Sequence, residues 1–277
     1  NHLSLIQGVG MKIFISADIE GITGIGHWNE TDKAHPNEYS WFQNQMTAEV
    51  AIAAEAAIEA GATEILIKDA HDSGRNLILD KLPELVSVVR GWAGHPLSMV
   101  QEVDESFDAI MFIGYHSRAG QNTNTLAHTM TSGRIARMTL NGQDMSEFYF
   151  HALAASYYGV PSIFVSGDEG LCREVREHNV FIQTVATIRG EGDSVISQHP
   201  AQSIRMIQAG VAKAIKSDFP KGLIAIPEKL EFSIEFKKHQ DAYRASFYPG
   251  AYLINPVTVG FKTEDYFEVL RFNLFAY

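Results

Sequence analysis

The chain has 277 residues, 45% hydrophobic and 20% charged, enough to bury one large core or two modest ones. Its net charge of -11, with no basic stripe or run to offset it, argues against a phosphate backbone, so no nucleic-acid partner is expected. No run approaches the ~18 consecutive apolar residues of a membrane span, so no membrane partner is expected either. Cys172 is the single cysteine, which excludes an internal disulfide and a thiolate metal cluster; with no export signal, the cytoplasm is the expected compartment.

Residues 1–10 lack a basic start and a long apolar stretch, so they read as a cloning leftover rather than a signal peptide, with Met11 as the natural start. Lys12 to Ile19 reads as a buried strand, and Ser40 to Ala60 as an alanine-rich helix ended by Gly61. Further strands are predicted at Glu64 to Asp69, Phe107 to Tyr115 and Pro161 to Ser166. Each stops at a polar cluster: Asp69-Ala70-His71-Asp72, His116-Ser117-Arg118 and Gly167-Asp168-Glu169. Asn141-Gly142 is a turn signal after Arg137 to Leu140, and Asp144-Met145-Ser146-Glu147 then opens a helix reaching Tyr158. Cys172 reads as a packed helical residue. Phe181 to Ile188 and Lys229 to Phe236 look extended, Pro200 to Ser217 helical, and Thr263 to Tyr277 a closing helix with a buried aromatic face.

Strands alternating with helices imply right-handed crossovers and an α/β fold, with a mostly parallel sheet flanked by helices and a smaller C-terminal α+β portion. No repeat or linker marks a boundary. The working division is a metal-binding catalytic domain at 11–190 and a C-terminal subdomain at 191–277.

The chemistry gathers where the strands end, the usual place for sites in α/β proteins. Asp18 and Glu20 sit two residues apart, so in a strand they share a face, and like charges so placed ask for a cation or a shared proton. His71 and His116 follow two other strands, and Glu147 falls in the first turn of a helix. His nitrogen and carboxylate oxygen suit zinc, manganese, cobalt or iron. Five such ligands exceed the need of one open catalytic ion but suit two ions if one carboxylate bridges them.

Each residue also has a plainer reading. Glu147 stands three residues after Asp144 and fits a capping box. His71 lies in a loop-like composition, and His128 fits a satisfied, partly buried histidine. His27, His35, His95, His151, His178, His199 and His239 read as surface or packing residues. A rival of another class is a nucleotide-binding module, because Gly21-Ile22-Thr23-Gly24-Ile25-Gly26 follows the first strand. That loop has the wrong glycine spacing, no Gly-Lys-Ser/Thr follows it, and two acids precede it.

Ser16-Ala17-Asp18-Ile19-Glu20-Gly21, Lys68-Asp69-Ala70-His71, Gly114-Tyr115-His116-Ser117-Arg118-Ala119, Ala127-His128-Thr129-Met130 and Gly142 to Glu147 resemble, in order and spacing, the D-aminopeptidase family of self-compartmentalising zinc peptidases, peptidase family M55. The resemblance runs from Met11 to about Asp168, with a weaker echo at Phe232-Ser233-Ile234-Glu235-Phe236. It implies two zinc ions per chain bridged by Asp18, one completed by Glu20 and His71, the other by His116 and Glu147. His128 then matches a family histidine that acts on the reacting group.

It also implies hydrolysis of short peptides or amino-acid amides, with D-amino-acid preference, through a hydroxide shared by the metals, and a ten-subunit double ring enclosing the active sites. The chain departs from the family's type sequence at Ala127 and Thr129, where serines are replaced, and from Gly26 to Tyr39, so pocket shape and substrate are the open points. The rival within enzymes is a binuclear amidase or other hydrolase acting on something other than a D-peptide.

Overall fold

The computed structural model describes residues 10–277; the reading of 1–10 as a cloning leftover therefore lies, Gly10 apart, outside the described residues. In chain order the main elements are β1 (Met11–Ala17), α1 (Pro36–Glu59), β2 (Ala62–Asp69), β3 (Val86–Val89), β4 (Ala109–Tyr115), β5 (Ile135–Leu140), β6 (Gln143–Asp144), α2 (Glu147–Tyr157), β7 (Ser162–Asp168) and α3 (Glu169–His178). They continue with β8 (Gln183–Glu191), β9 (Ser194–Ser197), α4 (Pro200–Ile215), β10 (Leu230–Phe236), α5 (His239–Ala245), β11 (Ala251–Asn255), β12 (Thr258–Thr263) and α6 (Tyr266–Ala276).

A seven-stranded sheet runs β3-β2-β1-β4-β7-β8-β9, parallel throughout except for β9. Its pleat sorts side chains by parity. Ile13 and Ile15 of β1 and Met111 and Ile113 of β4 bury against α1 and α4. Phe14, Ile110 and Phe112 face the other way into a core shared with α2 and α6. The small Ala53, Ala54, Ala56 and Ala57 let α1 lie close on the sheet. A second, antiparallel sheet of order β11-β12-β10-β5-β6 covers that other core.

The α/β class and mostly parallel sheet match the sequence expectation, with shifted ends. The first strand stops at Ala17 rather than Ile19, so Asp18 and Glu20 lie in the turn beyond it. Helix α1 begins at Pro36, four residues early, because proline suits the first helical turn. The seven-stranded sheet lies within residues 11–197, so a division at 190/191 falls inside β8 and separates β9 from it, and the second sheet recruits β5 and β6 from residues 135–144.

The glycines after β1 serve packing. A Cβ on Gly21 would stand 1.6 Å from the Tyr115 carbonyl oxygen, and one on Gly114 would stand 2.3 Å from that of Asp18. Only bare backbone lets the ends of β1 and β4 touch there, with Asp18 N–H donating to Ile113 and Gly21 N–H to Gly114, both at 2.8 Å.

Candidate metal centre

Parallel pairing of β2, β1 and β4 sets three strand ends side by side, so their trailing residues meet in one cleft. Asp18 stands between the histidines of the two outer strands: its Oδ1 is 3.5 Å from His71 Nδ1 and its Oδ2 is 3.5 Å from His116 Nε2. Glu20 Oε2 approaches His71 Nδ1 at 3.1 Å. From the opposite core, α2 delivers Glu147, whose Oε2 lies 3.4 Å from His116 Nε2. All five side chains are buried.

The imidazoles are held in the tautomers a metal requires. His71 Nε2–H donates to the Thr31 carbonyl at 3.0 Å, which leaves Nδ1 facing the carboxylates as the nitrogen that would give up its proton to a metal. His116 is held the other way round, with Nδ1–H donating to the Ser117 carbonyl at 3.0 Å and Nε2 free. Asp18 Oδ2, Glu20 Oε2 and His116 Nε2 are buried without a hydrogen-bond partner, and these three residues can offer atoms within 4.8 Å of one another. Buried polar atoms seldom stay unpaired, so convergent orphans of this chemistry fit a cation.

Electrostatics says the same. Burial and the neighbouring Glu20 push the Asp18 carboxyl well above the usual range. Burial would raise Glu20 and Glu147 too, but His71 outweighs it at Glu20, leaving it well below its ordinary value. His116 and His128 outweigh it at Glu147, bringing it to about 2. Burial opposes protonation of His71 and His116, yet Glu20 and Glu147 respectively raise both well above normal. Protons thus supply the positive charge that a metal would replace, and binding would release them.

His128 lies beside this set. Its ring stacks on His116 with centroids 4.2 Å apart, Trp28 packs edge-on at 5.3 Å, and its Nε2 is 3.4 Å from Glu147 Oε1. His128 and Glu147 also offer, with His116, a second group of convergent ligand atoms. Burial and His116 lower its pKa, so the ring is biased toward the neutral form.

The capping-box reading of Glu147 fails on geometry. Ser146 is the N-cap of α2, accepting from Tyr149 N–H at 3.0 Å, and Glu147 is the first helical residue rather than the third. Asp144 instead pairs with Arg118 and Arg137. Among the other histidines, His151 is fully buried on α2, lowered by burial to about 4, with Nδ1–H donating to the Glu147 carbonyl and Nε2 without a hydrogen-bond partner.

The cleft measures about 550 Å³; its walls include Trp28, Asp32, Asp72, Trp92, Met99 and Tyr277, with no Lys or Arg among the lining residues. Three non-glycine residues in left-handed backbone, Asp72, Ser98 and Met130, also line it. Met130 N–H donates to Glu147 Oε1 at 2.6 Å, so that turn aims a donor at the carboxylate. Such concentration of strain is typical of functional sites. Sequence reasoning missed these wall residues, because Trp92, Met99 and Tyr277 are distant in the chain and carry no motif.

The sequence model of the D-aminopeptidase family, peptidase M55, matches residues 11–275. A D-aminopeptidase of Bacillus subtilis (strain 168) is 29% identical over 263 residues, 94% of each chain. The solved structure of the Zn-dependent D-aminopeptidase DppA from Bacillus subtilis, a self-compartmentalizing protease, superposes with a TM-score of 0.88 at 28% identity, covering 96% of each chain.

Proposed function

This chain belongs to the D-aminopeptidase family, peptidase M55, and from that premise we propose that it is a zinc-dependent aminopeptidase removing an N-terminal D-residue from short peptides or amino-acid amides. Asp18, Glu20, His71, His116 and Glu147 would hold two ions, with Asp18 shared. The observation that carries this reading is the convergence of Asp18 Oδ2, Glu20 Oε2 and His116 Nε2, all buried and without a hydrogen-bond partner. Zinc, when bound, supplies Lewis-acid polarisation of the scissile carbonyl and a water acidified toward pKa ~7.

The chain's own groups do the rest. The aspartates at the cleft wall, with no Lys or Arg lining it, favour a substrate bearing a free amine. His128 is set for proton transfer: its Nδ1–H is taken by the Leu126 carbonyl at 2.9 Å, so the neutral ring presents an unprotonated Nε2 to the cleft. That nitrogen can accept a proton and pass it to the leaving amine, a role the geometry favours over donating to an oxyanion. His128→Ala is expected to retain metal while kcat falls roughly 10²–10⁴-fold and KM changes less. Loss of metal on that substitution would make His128 a ligand instead.

The experiment for the reaction class is a panel of paired D- and L-amino-acid amides and dipeptides on metal-reconstituted protein. Turnover of the D members, abolished by chelation, is the expected result. Preference for the L members, or activity confined to other amides, would favour the rival hydrolase.

We extend the self-compartmentalizing character of the Bacillus relative to a ten-subunit assembly here. Exposed apolar side chains support it, among them Tyr243, Phe247, Leu253, Ile254 and Phe275, with Phe247 69% and Phe275 65% exposed. Phe272 by contrast is fully buried, so only part of the aromatic C-terminal segment is available for contacts. Light scattering should report a particle many times the 30.7 kDa chain mass; a monodisperse active monomer would rule out the chamber and leave the metal chemistry standing.

A further inference from the structure

We infer that Asn124 is a positioning residue that holds Glu20, His116 and His128 in register at the metal site, an inference that rests on the metal-centre reading above. Asn124 lies in the segment between the two histidines and is 4% exposed. Its side-chain amide is fully used. Nδ2 donates to the Glu20 carbonyl at 2.9 Å and to Asp168 Oδ2 at 3.1 Å, while Oδ1 accepts from Leu126 N–H at 2.7 Å.

Each bond leads to a different site residue. The first fixes the backbone that carries Glu20. The second reaches Asp168, a buried carboxylate at the end of β7 that also accepts from Ser117 N–H at 2.6 Å and from the Ser117 hydroxyl. The Ser117 carbonyl is the acceptor for His116 Nδ1–H. The third fixes Leu126, whose carbonyl accepts from His128 Nδ1–H. One amide thereby spans three of the residues around the proposed ions through at most two intervening groups.

The surroundings keep it in place. A Cβ on Gly190 would fall 2.7 Å from Asn124 Cα, so glycine there lets β8 press directly on this segment, and Gly190 N–H donates to the Thr123 carbonyl at 2.9 Å. Asp168 also caps α3 through Leu171 N–H at 2.9 Å, which ties the junction to a rigid element. A matching pair stands at the end of β2: Asp69 accepts from Asn76 Nδ2 at 2.8 Å, and Asn76 Nδ2 donates to the His71 carbonyl at 2.7 Å. Two strand ends thus use the same aspartate and asparagine device under different histidines. Outer groups of this kind set ring orientation and ligand placement, and their loss commonly weakens metal binding about 10–100-fold.

The test measures zinc affinity by chelator competition, and the melting temperature of metal-free protein, for wild type, Asn124→Ala, Asn124→Asp and Tyr266→Phe. Asn124→Asp has the same shape but turns a carboxylate oxygen toward the Glu20 carbonyl and Asp168, so it disrupts the junction even where the alanine variant folds poorly. Tyr266→Phe removes a buried hydrogen bond to the Phe150 carbonyl, outside the junction, and controls for simple destabilisation. Both Asn124 variants should bind zinc roughly 10–100-fold more weakly, while Tyr266→Phe lowers the melting temperature and leaves affinity within about twofold. Wild-type affinity in folded Asn124→Asp would overturn the inference. A wild-type protein that binds no zinc would overturn the metal-centre reading instead, so the two failures are distinguishable.

Discussion

Asp18→Ala is expected to lose both metal ions and all measurable hydrolysis, yet to leave the metal-free protein at least as stable as wild type. The first half follows from position: Asp18 sends one oxygen toward His71 and the other toward His116, and among the described residues no other carboxylate comes within 4.0 Å of both histidines. Removing a shared ligand opens both sites at once. The second half follows from linkage. Burial and Glu20 raise the Asp18 pKa, so the folded state holds this proton more tightly than the unfolded chain and the group opposes folding as pH rises past its unfolded value. At neutral pH without metal, alanine removes that penalty. Elemental analysis, an activity assay and thermal melts of chelated protein check the three parts. Retention of one ion would show that Asp18 serves a single site, and a large fall in metal-free stability would assign it a structural role.

Glu147→Gln separates ligation from capping more sharply than any other single change. The glutamine keeps an acceptor for Met130 N–H and leaves the Ser146 cap untouched, so helix α2 should form, while the metal-free protein should melt lower at neutral pH because the ionised carboxylate, which despite its burial His116 holds at about 2, no longer stabilises the fold. The neutral amide is a poor metal ligand and no longer balances the protonated His116. Turnover should fall by at least about 10²-fold with reduced metal content. Full metal content with retained turnover would return Glu147 to a structural role.

Much of this was legible in the sequence because parallel sheets concentrate chemistry at strand ends. Asp18, Glu20, His71 and His116 each follow an apolar run, and β1, β2 and β4 lie adjacent, so four of the five residues meet through topology alone. Glu147 was harder, since its first-turn position looks the same whether it caps a helix or binds a metal; only the identity of Ser146 as the cap separates the two. The short strands β3, β9 and β11 escaped notice because they are edge or near-edge segments with mixed polarity, whose pairing is decided by neighbours. Asp168 was visible only as part of a polar cluster at a strand end and Asn124 not at all, because their value lies in hydrogen bonds across segments far apart in the chain.

Counting ions is the sharpest test of the paired metal centre. Protein purified without chelator and analysed for transition metals should carry close to two ions per chain, and stripping them should abolish hydrolysis that zinc then restores. Wild-type protein that folds and turns over with no metal would rule that centre out.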